Sequence, residues 1–330
     1  MTTYVLPMEL PKPEIALRDC GSESAEARWL AALALAGVDG EGAPGAIAAL
    51  LKLTGDPVEE IRAQAVEGLA SQLRAGASFD VSEVCELIQD ESDGVRCAVL
   101  DNAELFLEEP AEQATRLLED RAPSVRATAA RFLGTAGKVE TAGPLAGMLA
   151  DPDPIVRREA ALALARFGDA RSLGILHSML EEDVSTAISA ARALGEIGDE
   201  RSRGPLMKAA SGVLGDPELK AVAALSALAC GDERGRGILD RMLGSMRSTT
   251  RMCVYRAICE APAAGFSKAL GDRGGRARPM ELSSILGALH ALASVEREEA
   301  MAALGDLASR LDEDLSAELA EIMLALEESS

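Results

Sequence analysis

The chain has 330 residues, of which 48% are hydrophobic but only 2% aromatic, and its formal net charge is −21. Because so negative a surface repels phosphate groups and anionic lipids, the charge disfavours a nucleic-acid-binding or membrane-surface protein. The longest uncharged stretch, residues 282–295, is shorter than the roughly 20 apolar residues that span a bilayer. We therefore predict no membrane insertion.

The first residues, MTTYVLPMELPKP, contain prolines but neither a basic start nor a long apolar run. This pattern predicts an N-terminal extension over residues 1–13 that is not a secretion signal, and hence a cytoplasmic protein. The six cysteines are scattered without a CxxC pair, mostly in apolar helical segments. This distribution indicates reduced thiols rather than a disulfide framework.

The stretch DPDPIVRREAALALARFGDARSLGILHSML, residues 151–180, predicts two helices joined by a turn. Asp151 is expected to accept backbone N–H groups at the start of the first helix, and Pro154 suits its first turn. The apolar residues then recur with a period near 3.6, so one face of this helix is buried. Gly168 suits a left-handed C-terminal cap, after which a second apolar segment predicts an antiparallel partner helix.

The same pattern recurs along the chain when it is aligned on the Val-Arg pair. The arginine position falls at residues 28, 62, 96, 126, 157, 187, 220 and 251, spaced by 30 to 34 residues. Two later copies replace the arginine, with Ala187 and Lys220. So regular a period predicts that the chain is built from one repeated helix pair.

These residues resemble HEAT repeats of the short bacterial type that is also found in phycobilisome lyases. The shared features are an Asp-Pro turn, a Val-Arg pair, an Ala-rich first helix and a Gly-Asp turn. They are most complete at Asp151, Pro152, Val156, Arg157, Ala160, Leu164, Gly168 and Asp169. The resemblance covers residues 14–262 and implies an all-α fold: a right-handed α-α superhelix, or HEAT/armadillo-like solenoid, of about 9–10 helix pairs.

Residues 263–330 still read as helices, although the repeat signature decays. The helical segments are LSSILGALHALASV, EEAMAALGDLASRL and LSAELAEIMLALEE. We interpret this region as degenerate C-terminal repeats and capping helices, because the last repeat of a solenoid exposes one face to water. The whole chain is then expected to form one continuous solenoid.

Motifs of catalysis and metal binding are missing from the sequence. The only histidines are His177 and His290, and neither is followed by glutamate, whereas related HEAT-like di-iron enzymes carry several His-Glu pairs. The chain has no GxSxG elbow, HExxH helix or GxxxxGK phosphate loop, and its acidic pairs read as solvated charge. We predict no catalytic residue, no metal ion and no cofactor, and therefore a protein that is not an enzyme.

The recurring Arg62, Arg96, Arg126 and Arg157 admit two interpretations. One is a row of phosphate contacts. The other, which the resemblance implies, is that each arginine ties its repeat to the acidic turn of a neighbouring repeat. We favour the structural interpretation, since stacked repeats need satisfied polar groups between them.

Charge is unevenly distributed along the chain. Residues 80–120 carry a net charge of −11 and residues 296–330 a net charge of −9, whereas residues 231–280 carry +5. The basic segment includes GDRGGRARP, residues 271–279, which we expect to be an exposed connector between helices. The candidate partner- or anion-binding residues are Arg247, Arg251, Arg256, Arg273, Arg276 and Arg278. Pairing of these arginines with acidic neighbours is the alternative.

The function predicted from these features is a non-catalytic scaffold or adaptor that binds another protein on the solenoid surface. Its negative charge favours a partner with a basic face. Two alternatives stay open: a subunit of a phycobilisome-lyase-like enzyme acting on a bilin chromophore, and an acidic nucleic-acid mimic or chaperone. The sequence leaves open the partner's identity, the binding face, the curvature and the oligomeric state.

Overall fold

The protein is described by a computed structural model that covers residues 10–38, 43–212, 215–274, 277 and 279–308. Over these ranges the chain forms twenty α-helices and short 3-10 turns, with no β-strand. The predicted all-α class is confirmed. The chain divides into two compact units, the first ending at Phe167 and the second beginning at Gly168.

Unit 1 contains eleven of the helices in its described residues. They are α1 (Pro13–Asp19), α2 (Ala25–Leu35), α3 (Ala43–Leu53), α4 (Glu59–Arg74), α5 (Ser82–Glu86), α6 (Asp93–Asp101), α7 (Ala103–Phe106), α8 (Pro110–Leu117), α9 (Pro123–Ala136), α10 (Ala142–Gly147) and α11 (Pro154–Arg166). Unit 2 contains the other nine. They are α12 (Leu173–Met179), α13 (Val184–Ile197), α14 (Arg203–Ser211), α15 (Pro217–Ala229), α16 (Arg234–Leu243), α17 (Ser248–Glu260), α18 (Ser267–Gly274), α19 (Pro279–Leu292) and α20 (Arg297–Ala308).

Every one of the eight recurring positions lies near the start of a helix, as predicted. These first helices of the repeats are α2, α4, α6, α9, α11, α13, α15 and α17. Within unit 1, α9 packs against the preceding first helix α6 and against the short helix α8. Within unit 2, α15 contacts α13 and α14 in the same manner, and α17 contacts α15 and α16. Each unit is therefore a stack of repeats, which confirms the solenoid class of fold.

The core consists mainly of alanine and leucine side chains. On α15, for example, every residue from Ala221 to Ala227 is buried. Small side chains let neighbouring helices approach closely, and the glycines mark the tightest contacts. A Cβ at Gly134 on α9 would lie 2.6 Å from the Cβ of Ala163 on α11, so these helices touch at a point where only glycine fits.

The helix ends follow the predicted turn chemistry with one correction. Gly168 has a φ of +67°, the left-handed conformation predicted after α11. The N-cap of α11, however, is Asp153 and not Asp151, because the Asp153 carboxylate accepts the N–H groups of Ile155 and Val156. The Asp151 carboxylate accepts the N–H of Asp153 instead. Asp151 thus lies in the turn before the helix.

The C-terminal region contains two of its three predicted helices, α19 and α20. The third, at residues 315–328, lies outside the described residues. Glu296, in the connection between α19 and α20, reaches back to the start of α18. Its buried carboxylate accepts the N–H groups of Gly265, Phe266 and Ser267 and the Ser267 hydroxyl. One carboxylate thus accepts the main-chain N–H groups at the start of α18, which lack a partner within their own helix.

The predicted division into an extension (1–13), repeats (14–262) and C-terminal repeats (263–330) stays a prediction. Among the helices that the structure describes, none combines the length and the apolar character needed to cross a membrane.

Candidate interaction surface

Four recurring arginines of unit 1, Arg28, Arg62, Arg96 and Arg126, tie their repeats to the next one. Arg62, on α4, donates from Nε and Nη2 to the two carboxylate oxygens of Asp90, at 2.9 and 2.7 Å. Its Nη1 donates to the main-chain oxygen of Asp56 in its own turn. The same two-pronged pairing joins Arg28 to Asp56, Arg96 to Asp120 and Arg126 to Asp151. We call this series of pairs the arginine ladder.

Each aspartate of the ladder joins two repeats. The Asp90 carboxylate accepts from Arg62 of the preceding repeat and from the N–H of Ser92, while its main-chain oxygen accepts from Arg96 of its own repeat. The Arg62 and Asp90 side chains are only 10% and 8% exposed. The predicted tie to a neighbouring acidic turn is therefore confirmed for Arg62, Arg96 and Arg126, whereas the Arg157 guanidinium donates within its own turn.

Ladder contacts also fix the ionisation of the aspartates. Hydrogen bonds from Arg126 hold the pKa of the Asp151 carboxyl below its usual value, against the opposing effect of burial. Arg157 repeats the main-chain part of the pattern, since its Nη1 donates to the carbonyl oxygens of Asp151 and Pro152. The pKa values of the Asp56 and Asp90 carboxyls are also lowered, since the bonds that they accept outweigh the effect of burial.

In unit 2 two ties between repeats lie at the opposite ends of the first helices. Ala187 has no guanidinium group to donate. Instead, Arg203 at the start of α14 donates to the main-chain oxygen of Cys230, at 2.7 Å. Arg236, on α16, likewise donates to the main-chain oxygen of Ala264 and lies 4.8 Å above the Phe266 ring.

These second ties were not predicted, although a sequence signal for them exists. Arg203 and Arg236 occupy the same place in two matching segments, GDERSRG and GDERGRG, at residues 198–204 and 231–237. In both segments the aspartate binds the arginine two residues later, Asp199 to Arg201 and Asp232 to Arg234. A comparison restricted to the Val-Arg position does not detect this second repeated motif.

The last recurring position, Arg251, rebuilds the ladder with a glutamate. Its Nε and Nη2 donate to the two Glu281 oxygens at 2.6 Å, and the Tyr255 hydroxyl donates to the same carboxylate. These bonds, led by those from Arg251, lower the Glu281 pKa to about 2. Burial and the bond to Glu281 raise the Tyr255 pKa to about 12. Arg251 is only 8% exposed, and its guanidinium group is occupied by Glu281.

The other candidate arginines are dispersed. Arg247 is exposed next to the first residue of α17, and Arg256 is exposed but pairs with Glu218 at 2.9 Å. Arg276 and Arg278 lie outside the described residues. Of the predicted connector 271–279, the part up to Gly274 is helical, which corrects that expectation. Glycine suits α18 because a Cβ at Gly271 would lie 2.9 Å from that of Ala303 on α20.

Arg273 opens onto a cavity beside the Arg251–Glu281 pair. The cavity has a volume of about 360 Å³ and is also lined by Asp272. The Arg273 Nε lies 3.6 Å from a Glu281 oxygen, and it is buried without a hydrogen bond among the described residues. Arg273 thus forms a longer ion pair with the carboxylate that Arg251 binds directly.

A second cavity, which we call the α15 groove, lies on the first helices of unit 2. It has a volume of about 270 Å³ and is lined by residues of α13, α15 and α17 and by the segment that follows α17. Its floor includes the buried Leu225 and Ser226 of α15. Arg192 of α13 and Glu260 of α17 form an ion pair along its rim.

The acidic segment 80–120 lies largely on the surface of unit 1. Two of its thirteen carboxylates, Asp90 and Asp120, belong to the ladder. The other eleven are exposed: Asp80, Glu83, Glu86, Glu91, Asp93, Asp101, Glu104, Glu108, Glu109, Glu112 and Glu119. Most of the negative charge predicted in this segment therefore faces solvent.

The next groups are the cysteine thiols, the His177 imidazole and possible metal ligands of the described residues. Burial raises the pKa of all six thiols, that of Cys230 to about 11, so they are protonated at neutral pH. The His177 Nε2 lies 3.0 Å from the Ser202 hydroxyl, and burial lowers the His177 pKa. Within the described ranges no three His, Cys, Asp or Glu side chains converge as a metal site would require.

Comparison with known families agrees with the repeated geometry. A family model described as HEAT repeats matches residues 111–190, and one described as PBS lyase HEAT-like repeat matches residues 187–212. The protein is a HEAT-like repeat protein. No curated protein shows significant sequence similarity to this HEAT-like chain.

Solved HEAT-like structures share the fold. The YibA protein of Escherichia coli has a TM-score of 0.52 and 21% identity, over 65% of this chain and 80% of its own. The complex of CpcE and CpcF of phycocyanin lyase from Nostoc sp. PCC7120 has a TM-score of 0.51 and 17% identity, over 72% and 96%. A homology model of the full-length AP-3 complex has a TM-score of 0.51 and 13% identity, over 94% and 68%. At these identities the similarity concerns the fold alone.

Proposed function

We propose that this protein is a non-catalytic scaffold that binds another protein on the exposed helix surfaces of its repeats. The observation that carries the proposal is that arginines of the ladder are buried in ion pairs, whereas most carboxylates of the acidic segment are exposed. Arg62, Arg96 and Arg126 are occupied in the ladder, whereas eleven carboxylates of segment 80–120 face solvent. A surface of this kind attracts a partner with a basic face, and the encounter weakens as salt screens the charges.

The basic residues proposed to contact a partner or an anion reduce to Arg247 and Arg273 among the described residues. Arg247 is exposed, and Arg273 lines a cavity together with Asp272 and Glu281. Arg251 is occupied by Glu281 and Arg256 by Glu218. Arg276 and Arg278 stay part of the proposal from sequence alone.

The test is cross-linking and affinity purification of the tagged chain from its own cells, with quantitative mass spectrometry at low and at high salt. A test variant, Glu83→Lys/Glu86→Lys/Glu104→Lys, reverses exposed charges of the acidic segment. A control variant, Asp240→Lys/Glu298→Lys/Glu299→Lys, makes the same change in net charge elsewhere. We expect a stoichiometric protein partner that high salt and the test variant remove and the control variant retains. Absence of any such partner, or equal binding by both variants, contradicts the proposal.

A second candidate function is a subunit of a phycobilisome-lyase-like enzyme that acts on a bilin. Two observations favour it, the match of residues 187–212 to the PBS lyase HEAT-like repeat and the fold shared with the CpcE and CpcF complex. Its test is co-expression with a phycobiliprotein and a bilin. Bilin absorbance that stays on the denatured phycobiliprotein only when this chain is present would favour the lyase function over the scaffold.

A further inference from the structure

The α15 groove exists because three neighbouring helices carry small side chains at the same level. A Cβ at Gly195 of α13 would lie 2.7 Å from the Ser226 hydroxyl of α15, so the two helices are in close contact there. Ala229 of α15 and Ala257 of α17 continue the lining. Since none of these side chains extends beyond its Cβ and one further atom, the space above α15 stays open.

The rim of the groove is held by a long-range ion pair. Arg192 extends from α13 to Glu260 of α17, so the pair crosses α15, which contacts both of these helices. Its two side chains are 38% and 36% exposed. The pair neutralises its own charges and limits the opening. The groove is thus defined by two elements, an apolar floor and a polar bridge.

The size of the groove fits one side chain better than a cofactor. Small-molecule sites usually enclose about 300–1,000 Å³, whereas this groove has a volume of about 270 Å³. A leucine or an aromatic ring fills such a space. Pockets that desolvate a single apolar side chain are the usual binding hot spots of protein interfaces.

The charge at the rim indicates what accompanies that side chain. Glu196, on the last turn of α13, lines the groove and is exposed. No cation among the described residues forms an ion pair with it, while Arg192 is engaged with Glu260. The uncompensated charge at the rim is therefore negative, and its complement is a lysine or an arginine.

We propose that the α15 groove binds one leucine or aromatic side chain of a protein partner, and that a lysine or arginine next to that side chain pairs with Glu196. The proposal rests on the scaffold function and specifies where on unit 2 a partner is anchored. Its chemistry agrees with the basic partner expected from the net charge of −21.

The test uses a random peptide library displayed on phage and selected against the full chain at low salt. We expect the selected peptides to share a leucine or an aromatic residue next to a lysine or arginine. Binding of one synthetic selected peptide is then measured by fluorescence anisotropy. Ala229→Trp, which fills the groove from an exposed position, and Glu196→Lys should each weaken the peptide at least tenfold. The matched controls Ala302→Trp and Glu298→Lys, on α20, should change its affinity less than twofold.

Three outcomes would overturn the proposal: no enriched sequence, enriched peptides without the apolar-basic pair, or equal affinity for wild type and Ala229→Trp. Helical circular dichroism of Ala229→Trp establishes that the variant is folded. A cellular partner that binds Ala229→Trp as tightly as wild type overturns the groove but leaves the scaffold intact. Peptides that need the groove, combined with the absence of any cellular partner, uphold the groove and contradict the scaffold.

Discussion

Removal of one ladder arginine should destabilise unit 1 far more than removal of a surface arginine on the same helix. Arg126 and Asp151, which are 13% and 5% exposed, pair through two bonds of 2.8 and 2.9 Å. Arg126→Ala leaves the Asp151 carboxylate buried with the N–H of Asp153 as its remaining bond. Removal of one partner of a buried pair costs about 3–5 kcal/mol. Because the Asp151 carboxylate keeps one hydrogen bond, we expect the free energy of unfolding to fall by about 3 kcal/mol.

The matched control is Arg131→Ala, also on α9. Arg131 pairs with Asp101, but the two side chains are 51% and 44% exposed, and such pairs contribute about 0–1 kcal/mol. The assay is urea unfolding followed by helical circular dichroism. For a slope of about 1–3 kcal/mol per M, Arg126→Ala should lower the midpoint by about 1 M or more. Hydrogen exchange should show the loss of protection in α9 and α11. Equal midpoint shifts for the two variants would refute the structural role of the ladder.

Two further predictions concern unit 2. The pKa of Glu281 in the folded protein is lowered to about 2 from an ordinary value of 4.5. The charged carboxylate therefore stabilises the fold by about 3 kcal/mol above about pH 5. This contribution is lost as the pH falls from 4.5 towards 2. Acid titration of Glu281→Gln, followed by circular dichroism, should show a less steep loss of stability than wild type over this range; parallel curves would contradict the coupling. Gly235→Ala should lower the stability by about 1–3 kcal/mol, since its Cβ would overlap the main-chain oxygen of Ala224, whereas Gly237→Ala, two residues along α16, should be neutral or stabilising. Similar thermal midpoints for both glycine variants would contradict the close approach of α15 and α16.

The sequence predicted the features that depend on local chemistry and period. The recurring Val-Arg position located eight first helices, because its spacing reflects the length of a helix pair. The ladder was implied by the resemblance to HEAT repeats, and it agrees with the need of stacked repeats for satisfied polar groups. These features repeat, so each copy supports the interpretation of the others.

Features that depend on packing between helices were harder to predict. The glycines of residues 271–274 indicated a connector, yet the segment is helical, because its glycines let α18 approach α20 closely. The basic segment makes Arg251 a candidate for partner binding, although it occupies the ladder position and is buried against Glu281 and Tyr255. The α15 groove had no signal at all, since it arises from small side chains on three helices that are far apart in sequence.

The ladder also makes whole repeats exchangeable. Every pair joins the arginine of one repeat to the aspartate of the next. Each repeat of the ladder therefore offers an aspartate to the repeat before it and an arginine to the repeat after it. Excision of residues 63–96 would put Arg62 in the place of Arg96, with Asp120 as its new partner. Gene duplication or deletion by one period therefore preserves the buried pairs without compensating mutations. Unit 1 can therefore lengthen or shorten during evolution while the arginine–aspartate pairs of the ladder are retained.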